Sequence, residues 1–255
     1  MSVSNRLTPA QCIDGIRVIA RREMAAYFDS SIAYVYTIAF VVLANAIFMN
    51  DFFLTATVDM SPFFDALPLL LVAFAPAITM RLWAEERKTR TIELLLTLPI
   101  RPIQAVLGKY LAALGLYAIF LLSTLVIPIM LTMLGEPDYG LILSGYLGAI
   151  LLGGLFLSFG MFLSAWSSDQ IVAFVLSVMV GAFFVLTGDD RVVAVMDGMF
   201  PAAAIGTLLY EHVSVMPHVD AFIRGVVELR SLVYFALLTA SFLWLNAAML
   251  DRARE

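Results

Sequence analysis

The sequence predicts an all-α membrane protein with six transmembrane helices, and both composition and patterning support this. Of its 255 residues, 62% are hydrophobic and 14% are charged, and the mean hydropathy is +0.95. Soluble globular domains are about half apolar and about a quarter charged. The apolar residues form long runs, and the breaks between them carry the Pro, Gly, Ser and Asp residues that favour turns.

Six apolar runs are candidates for membrane-spanning helices, each of which needs about 20 residues. The predicted spans are residues 32–52, 63–83, 104–134, 141–166, 171–187 and 231–250. The third is free of charge from Tyr110 onward. The fifth is short, and the sequence leaves open whether it continues past Gly188.

The distribution of Lys and Arg predicts how the chain is oriented, because cytoplasmic loops carry an excess of both residues. With the N-terminus in the cytoplasm, twelve of the fifteen basic residues are cytoplasmic. Only Arg191, Arg224 and Arg230 then lie outside. An even number of spans returns the C-terminus to the same side, so both termini are predicted to be cytoplasmic.

Residues 9–28 have the pattern of an amphipathic helix. Ile13, Ile16 and Ile19 recur near helical spacing, and Arg17 and Arg21 lie between them. Such a helix would lie flat at the inner membrane interface. Two roles remain open for it: a surface anchor alone, or an anchor that also contacts a cytoplasmic partner.

Small residues recur every four positions in the fourth span, at Gly145, Ala149 and Gly153. This spacing lets helix backbones approach closely, either inside one subunit or at a dimer seam.

Residues 188–230 form a predicted external segment, because they are long for a loop and only moderately polar. We expect three short helices at the outer leaflet, at residues 192–200, 202–213 and 219–229. His212 and His218 lie in this segment, where surface or interface histidines are far commoner than ligands.

The sequence lacks the motifs of several enzyme classes. No G-x-x-x-x-G-K-[ST] motif is present, and Gly108-Lys109 is followed by Tyr, so the chain has no P-loop for ATP. The H-E-x-x-H and G-x-S-x-G motifs are also missing. A net charge of −5 with two lysines argues against nucleic-acid binding, and the single Cys12 offers no disulfide or metal cluster.

No predicted span carries a central charge of the kind that ion-coupled pumps use. The sequence therefore predicts no cofactor and no catalytic residue. Energy for uphill transport would have to enter from outside the membrane part of the protein.

The most informative stretch is residues 81–102, RLWAEERKTRTIELLLTLPIRP, between the second and third spans. We predict a cytoplasmic coupling helix over residues 84–99, in which Thr91 caps a leucine-rich turn and Pro99 ends it. Left in water, its aliphatic side chains would form an exposed apolar patch, which usually marks an interaction site. The alternative is a helix that rests on lipid headgroups.

This stretch resembles the coupling region of the type-2 ABC exporter permeases, and is closest to their gliding-motility (Gld) branch. The segments at residues 31–34, 103–109 and 222–233 resemble the corresponding parts of the same family. The resemblance implies the transmembrane subunit of an ATP-binding cassette exporter in a bacterial inner membrane. It also implies that two permease copies or paralogues pair and that each docks on a separate ATPase subunit, which binds the ATP.

The resemblance also implies which residues face the ATPase. They are Glu85, Glu86, Arg87, Thr91, Glu93, Leu94, Leu95 and Leu96, with Arg22 and Glu23 as further contacts. None of them is expected to be catalytic. An extracytoplasmic accessory subunit would meet residues 188–230.

The apolar spans mildly favour a lipid-like or amphipathic cargo. The main alternative is an ATP-driven envelope assembly or mechanical module that moves no small molecule. A stand-alone channel or carrier, or a membrane-embedded enzyme, lacks supporting residues.

Overall fold

The computed structural model describes residues 9–92, 101–199 and 204–252, and this part of the chain is helical with short connections and no strand. The helices are α1 (Pro9–Asp29), α2 (Ser31–Thr55), α3 (Ser61–Thr79), α4 (Arg81–Lys88), α5 (Pro102–Ser123), α6 (Val126–Leu134), α7 (Tyr139–Trp166), α8 (Gln170–Leu186), α9 (Asp190–Met199), α10 (Ile205–His212), α11 (Met216–Ile223) and α12 (Leu229–Arg252).

Five helical stretches within the described ranges are long and apolar enough to cross a membrane. They are Ala33–Thr55, Ser61–Lys88, Pro102–Leu134, Tyr139–Trp166 and Leu229–Arg252. The fifth predicted span differs, because α8 has 17 residues and α9 leaves it at an angle of 86°. The bend lies at Gly188, where the chain packs closely against Ser214 and Met216. The described residues therefore contain five candidate spans, or six if this bent pair counts as one.

Helix α7 is the most buried of these spans and lies at the centre of the bundle. Its small residues receive large side chains from neighbouring helices: Gly145 packs against the ring of Phe64, and Gly153 packs against the ring of Tyr117. The Tyr117 hydroxyl donates a hydrogen bond of 2.9 Å to the carbonyl oxygen of Ala149. The small-residue stripe is therefore used for packing inside the subunit, and it is not exposed as a dimer seam.

The predicted second span extends beyond residue 83 in the structure. Helix α4 follows α3 after a single turn residue, Met80, and reaches Lys88. The Ser164 hydroxyl of α7 holds this junction: it donates to the Met80 carbonyl at 2.8 Å and accepts from the backbone N–H groups of Trp83 and Ala84 at 3.1 and 3.2 Å.

This extension corrects the predicted start of the coupling helix. Residues 84–88 belong to α4 and continue the second span. The chain then turns at Thr89 and Arg90, and Arg90 adopts a left-handed conformation with φ of 58°. Residues 93–100, the rest of the predicted coupling helix, lie outside the described residues.

The segment between α8 and α12 contains three short helices, α9 to α11, and packs back on the bundle. Helix α11 ends at Ile223, six residues before the predicted end, because Gly225 turns the chain with φ of 80°. His212 is exposed, whereas His218 is buried. The His218 ring stacks on Tyr234 with centroids 4.0 Å apart, and its Nδ1 lies 3.1 Å from the Ser231 hydroxyl.

Packing around α7 predicts the effect of adding one methyl group. In Gly153→Ala the new Cβ would clash with the Tyr117 ring, which is almost fully buried. Overpacking of this kind costs about 1–3 kcal/mol. We expect a lower apparent melting temperature in detergent, measured by thermal unfolding of the purified protein.

The matched control is Gly198→Ala, since a Cβ at this helical glycine meets nothing within 4 Å. Alanine is the better helix former by about 1 kcal/mol, so this variant should melt at the wild-type temperature or above it. Equal melting temperatures for the two variants would contradict close packing at Gly153.

Candidate functional site

Helix α1 packs lengthwise against α5, and a glycine allows the close approach. A Cβ at Gly108 would lie only 2.7 Å from the Ile19 Cβ. Helix α1 buries Ile19 on this face and leaves Arg17 exposed. The contact brings Glu23 of α1 next to Lys109, the residue that follows Gly108.

A buried ionic cluster joins α1, α4 and α5 at this point. The Lys109 ammonium lies 3.0 Å from Glu23 Oε1 and 2.9 Å from Glu86 Oε1. Arg22 Nη2 lies 2.8 Å from Glu23 Oε1 and 3.6 Å from Glu86 Oε1. The four side chains therefore link the N-terminal helix to the end of the second span and the start of the third. We call them the ionic cluster.

Burial makes Lys109 the central member of the ionic cluster. Its side chain is 2% exposed, compared with 58% for that of Arg22. The ammonium also lies 4.9 Å from the centroid of the Trp83 ring, a distance that permits a cation–π contact. A buried ammonium is tolerated only when it is paired and hydrogen-bonded, and here two carboxylates and an aromatic face meet that requirement.

The ionic cluster keeps Glu23 ionised. Burial alone would raise the pKa of Glu23, but the charge of Lys109 and hydrogen bonds from Arg22 and Lys109 outweigh it and hold that pKa below its usual value. A lowered pKa in the folded state stabilises the fold at neutral pH, and this stabilisation is lost as the pH falls through the folded value.

A second contact fixes α1 to the junction between α3 and α4. The Arg81 guanidinium lies 5.2 Å above the Tyr27 ring centroid, and its Nη2 donates to the Ala26 carbonyl at 3.4 Å. The Tyr27 hydroxyl donates to the Ile78 carbonyl at 3.0 Å. Helix α1 is thus held at two points along its length.

A cavity of about 360 Å³ opens between α1 and α4 beside the ionic cluster. It is lined by Arg22, Glu23, Ala26, Tyr27, Arg81, Leu82, Glu85, Glu86, Thr89, Thr91 and Lys109. Within the described ranges, Glu86 Oε2 is buried and accepts no hydrogen bond. These ranges also contain no group of three or more His, Cys, Asp or Glu that could hold a metal ion.

The structure brings together part of the set of site residues predicted from the sequence. Arg22, Glu23 and Glu86 meet in the ionic cluster, and Glu85 and Thr91 line the cavity. Arg87 is half-buried on α4. Four of the predicted residues, Glu93, Leu94, Leu95 and Leu96, lie outside the described residues.

Lys109 is the site residue that the sequence did not assign to the site. In the sequence it is one of the basic residues that predict orientation, and it ends the family-like segment at residues 103–109. Its position inside an otherwise uncharged stretch from residue 102 to residue 134, directly after a glycine, was the available signal. The partners of a lone charge in a helix come from other helices, and their identity depends on tertiary packing.

The matching family model is described as "ABC-2 family transporter protein", and it matches residues 55–248. No curated protein matches the chain.

Chemical labelling of the two lysines tests the burial of Lys109. Lys88 is exposed at the end of α4, whereas Lys109 is almost completely buried. An amine-reactive acylating reagent should modify Lys88 quickly and leave Lys109 unmodified until the protein unfolds. Peptide mapping by mass spectrometry distinguishes the two, and rapid labelling of Lys109 would contradict the structure.

Replacement of Lys109 tests the energetics of the ionic cluster. Lys109→Met leaves two carboxylates close together without their shared cation, and removing one partner of a buried pair costs about 3–5 kcal/mol. We expect the lower end of that range, because Glu23 and Glu86 keep some solvent contact and Arg22 remains. Equilibrium unfolding of the purified chain in mixed micelles measures the loss.

Two further variants make this result specific. Lys88→Met should change the free energy of unfolding by less than about 0.5 kcal/mol, as exposed substitutions usually do. Adding Glu86→Gln to Lys109→Met removes one of the two facing carboxylates and should restore part of the stability. A double variant no more stable than Lys109→Met would show that carboxylate repulsion is not the cause.

Proposed function

Because this chain belongs to the ABC-2 family of transporter proteins, we propose that it is the transmembrane permease subunit of an ATP-driven exporter. On this proposal a separate ATPase subunit binds and hydrolyses the ATP, as the resemblance to the type-2 ABC exporter permeases implies. Within the family we propose the gliding-motility branch, on the resemblance of residues 80–100 and 222–233.

The ionic cluster is the observation that supports this proposal best. The chain between α4 and α5 connects the second span to the third, and it contains the leucine-rich segment that resembles a coupling helix. Lys109 joins the two ends of this connection through Glu86, and it joins both to α1 through Glu23. A force applied to this connection would therefore act on α1, α4 and α5 together.

A further contact carries the displacement toward the centre of the bundle. The Ser164 hydroxyl bonds α7 to the backbone at the start of α4. Since α7 packs against most of the other spans, a displacement of α4 would shift α7 and, through it, those spans. We propose that this is how ATP-driven closure of the ATPases reaches the membrane-spanning helices.

The predicted contact residues divide into two roles on this view. Glu85 and Thr91 are exposed and suit direct contact with the ATPase, as do Leu94, Leu95 and Leu96 on the basis of sequence. Glu23 and Glu86 are mostly buried and hold the junction in shape. We assign them to positioning the contact surface.

We propose a dimer of permeases in a bacterial inner membrane, with both termini in the cytoplasm and a lipid-like or amphipathic cargo. The excess of basic residues on one side supports the orientation. Helices α2 and α12 expose apolar side chains along most of their length, which suits contact with lipid or with a second permease.

A substitution in the leucine-rich segment tests the proposed coupling. Leu95→Glu places a charge where we propose an apolar contact, so the tagged chain should lose its ATPase while still inserting in the membrane. The measurement is affinity purification from native membranes. The expected wild-type partner is a protein with a G-x-x-x-x-G-K-[ST] motif that hydrolyses ATP in the recovered complex.

Leu208→Glu is the matched control, because Leu208 is half exposed on α10 and belongs to the proposed external segment. It should retain the ATPase at the wild-type level. Full recovery of the ATPase with Leu95→Glu would refute a coupling role for the segment, and loss with both variants would point to a general folding defect.

A further inference from the structure

An apolar groove of about 520 Å³ lies where α7 and α12 end together. It is lined by Phe162 and Trp166 of α7 and by Trp244, Leu245, Ala248, Met249 and Arg252 of α12. The residues from α12 follow helical spacing and form one face, with Ala248 as its small central member. Arg252 is the one charged residue in this lining.

The groove lies on the outer surface of the subunit. Helix α12 buries Leu243, Asn246 and Leu250 against the rest of the chain and turns the groove residues away. The two tryptophan side chains are 68% (Trp166) and 66% (Trp244) exposed. Because the groove lies on the exposed side of two candidate membrane spans, it is accessible to lipid.

The position of the groove along the spans gives it a polar end and an apolar end. Trp166 is the last residue of one candidate span, and Arg252 is the last described residue of another. Tryptophan favours the boundary between headgroups and hydrocarbon, and arginine at a helix end extends its guanidinium toward water. At the other end, Phe162 contacts Phe242 with ring centroids 6.1 Å apart, which continues the aromatic wall deeper into the span.

We propose that this groove binds an anionic phospholipid, with an acyl chain along the tryptophan, leucine and methionine side chains and the phosphate at Arg252. The volume lies within the range of about 300–1,000 Å³ typical of ligand sites. A guanidinium forms charge-assisted hydrogen bonds with phosphate. A zwitterionic headgroup would bring a second cation toward Arg252, so the site discriminates by headgroup charge. The proposal depends on the chain spanning a membrane and is independent of the ATPase.

The tryptophans themselves provide the test. The sequence contains three: Trp166 and Trp244 line the groove, and Trp83 is fully buried and gives a constant background. The intact chain is reconstituted in phosphatidylcholine nanodiscs that carry a matched series of increasing mole fractions of brominated phosphatidylglycerol or brominated phosphatidylcholine. Bromine quenches tryptophan fluorescence only at short range, so quenching reports which lipid occupies the groove.

Brominated phosphatidylglycerol should quench at a lower mole fraction than brominated phosphatidylcholine, by roughly fivefold, the effect expected of one basic residue near a membrane surface. Arg252→Gln should abolish this preference. Arg230→Gln should keep it, because Arg230 lies exposed in the first turn of the same helix, at the opposite end of the span.

Four results would overturn the proposal. Equal quenching by the two lipids in the wild type would mean ordinary contact with bulk lipid. Absence of quenching by either would mean that a second copy or another protein covers the groove. Loss of the preference in Arg230→Gln, or its persistence in Arg252→Gln, would mean that Arg252 does not hold the headgroup.

Discussion

The contact on which the rest of the structure depends is that of the Lys109 ammonium with the carboxylates of Glu23 and Glu86. An ammonium this deeply buried must be neutralised where it lies, and its two partners come from helices distant in sequence. The two ammonium–carboxylate contacts therefore constrain where α1 and α4 pack against α5 and against each other. Gly108 makes room for this approach, and the Trp83 ring covers the open side of the cation.

The central helix α7 imposes the second constraint. Its small residues let bulky rings from neighbouring helices reach its backbone, and its last turns present the Ser164 hydroxyl to the junction between α3 and α4. Because Ser164 bonds to the Trp83 backbone and the Trp83 ring packs on Lys109, the bundle core and the ionic cluster are continuous. The two are joined by short, directional contacts.

Two surfaces of different chemistry lie where the second, fourth and sixth predicted spans end. Around α4 the surface is charged and surrounds a cavity beside the connection to α5, which suits a protein partner. Around α7 and α12 it is aromatic and apolar with one arginine, which suits a phospholipid. Helix α7 is joined to both: Trp166 lines the groove, and the buried Ser164 hydroxyl is hydrogen-bonded to the backbone of α4.

The sequence by itself determined the class of the protein, because apolar run length and charge content are properties of composition and order. Its apolar runs predicted the candidate spans, but it left open whether the fifth continues past Gly188. It also indicated the connection at residues 81–102 and a resemblance to ABC exporter permeases, whose broader family the family model matches. Boundaries such as Lys88 were missed, because a serine from α7 holds α4 in line with the second span. Only the tertiary structure decided that the glycines of α7 serve internal packing, that Lys109 pairs with Glu23 and Glu86, and that Trp166 and Arg252 share a groove. Each of these depends on side chains far apart in sequence that meet only when the helices pack.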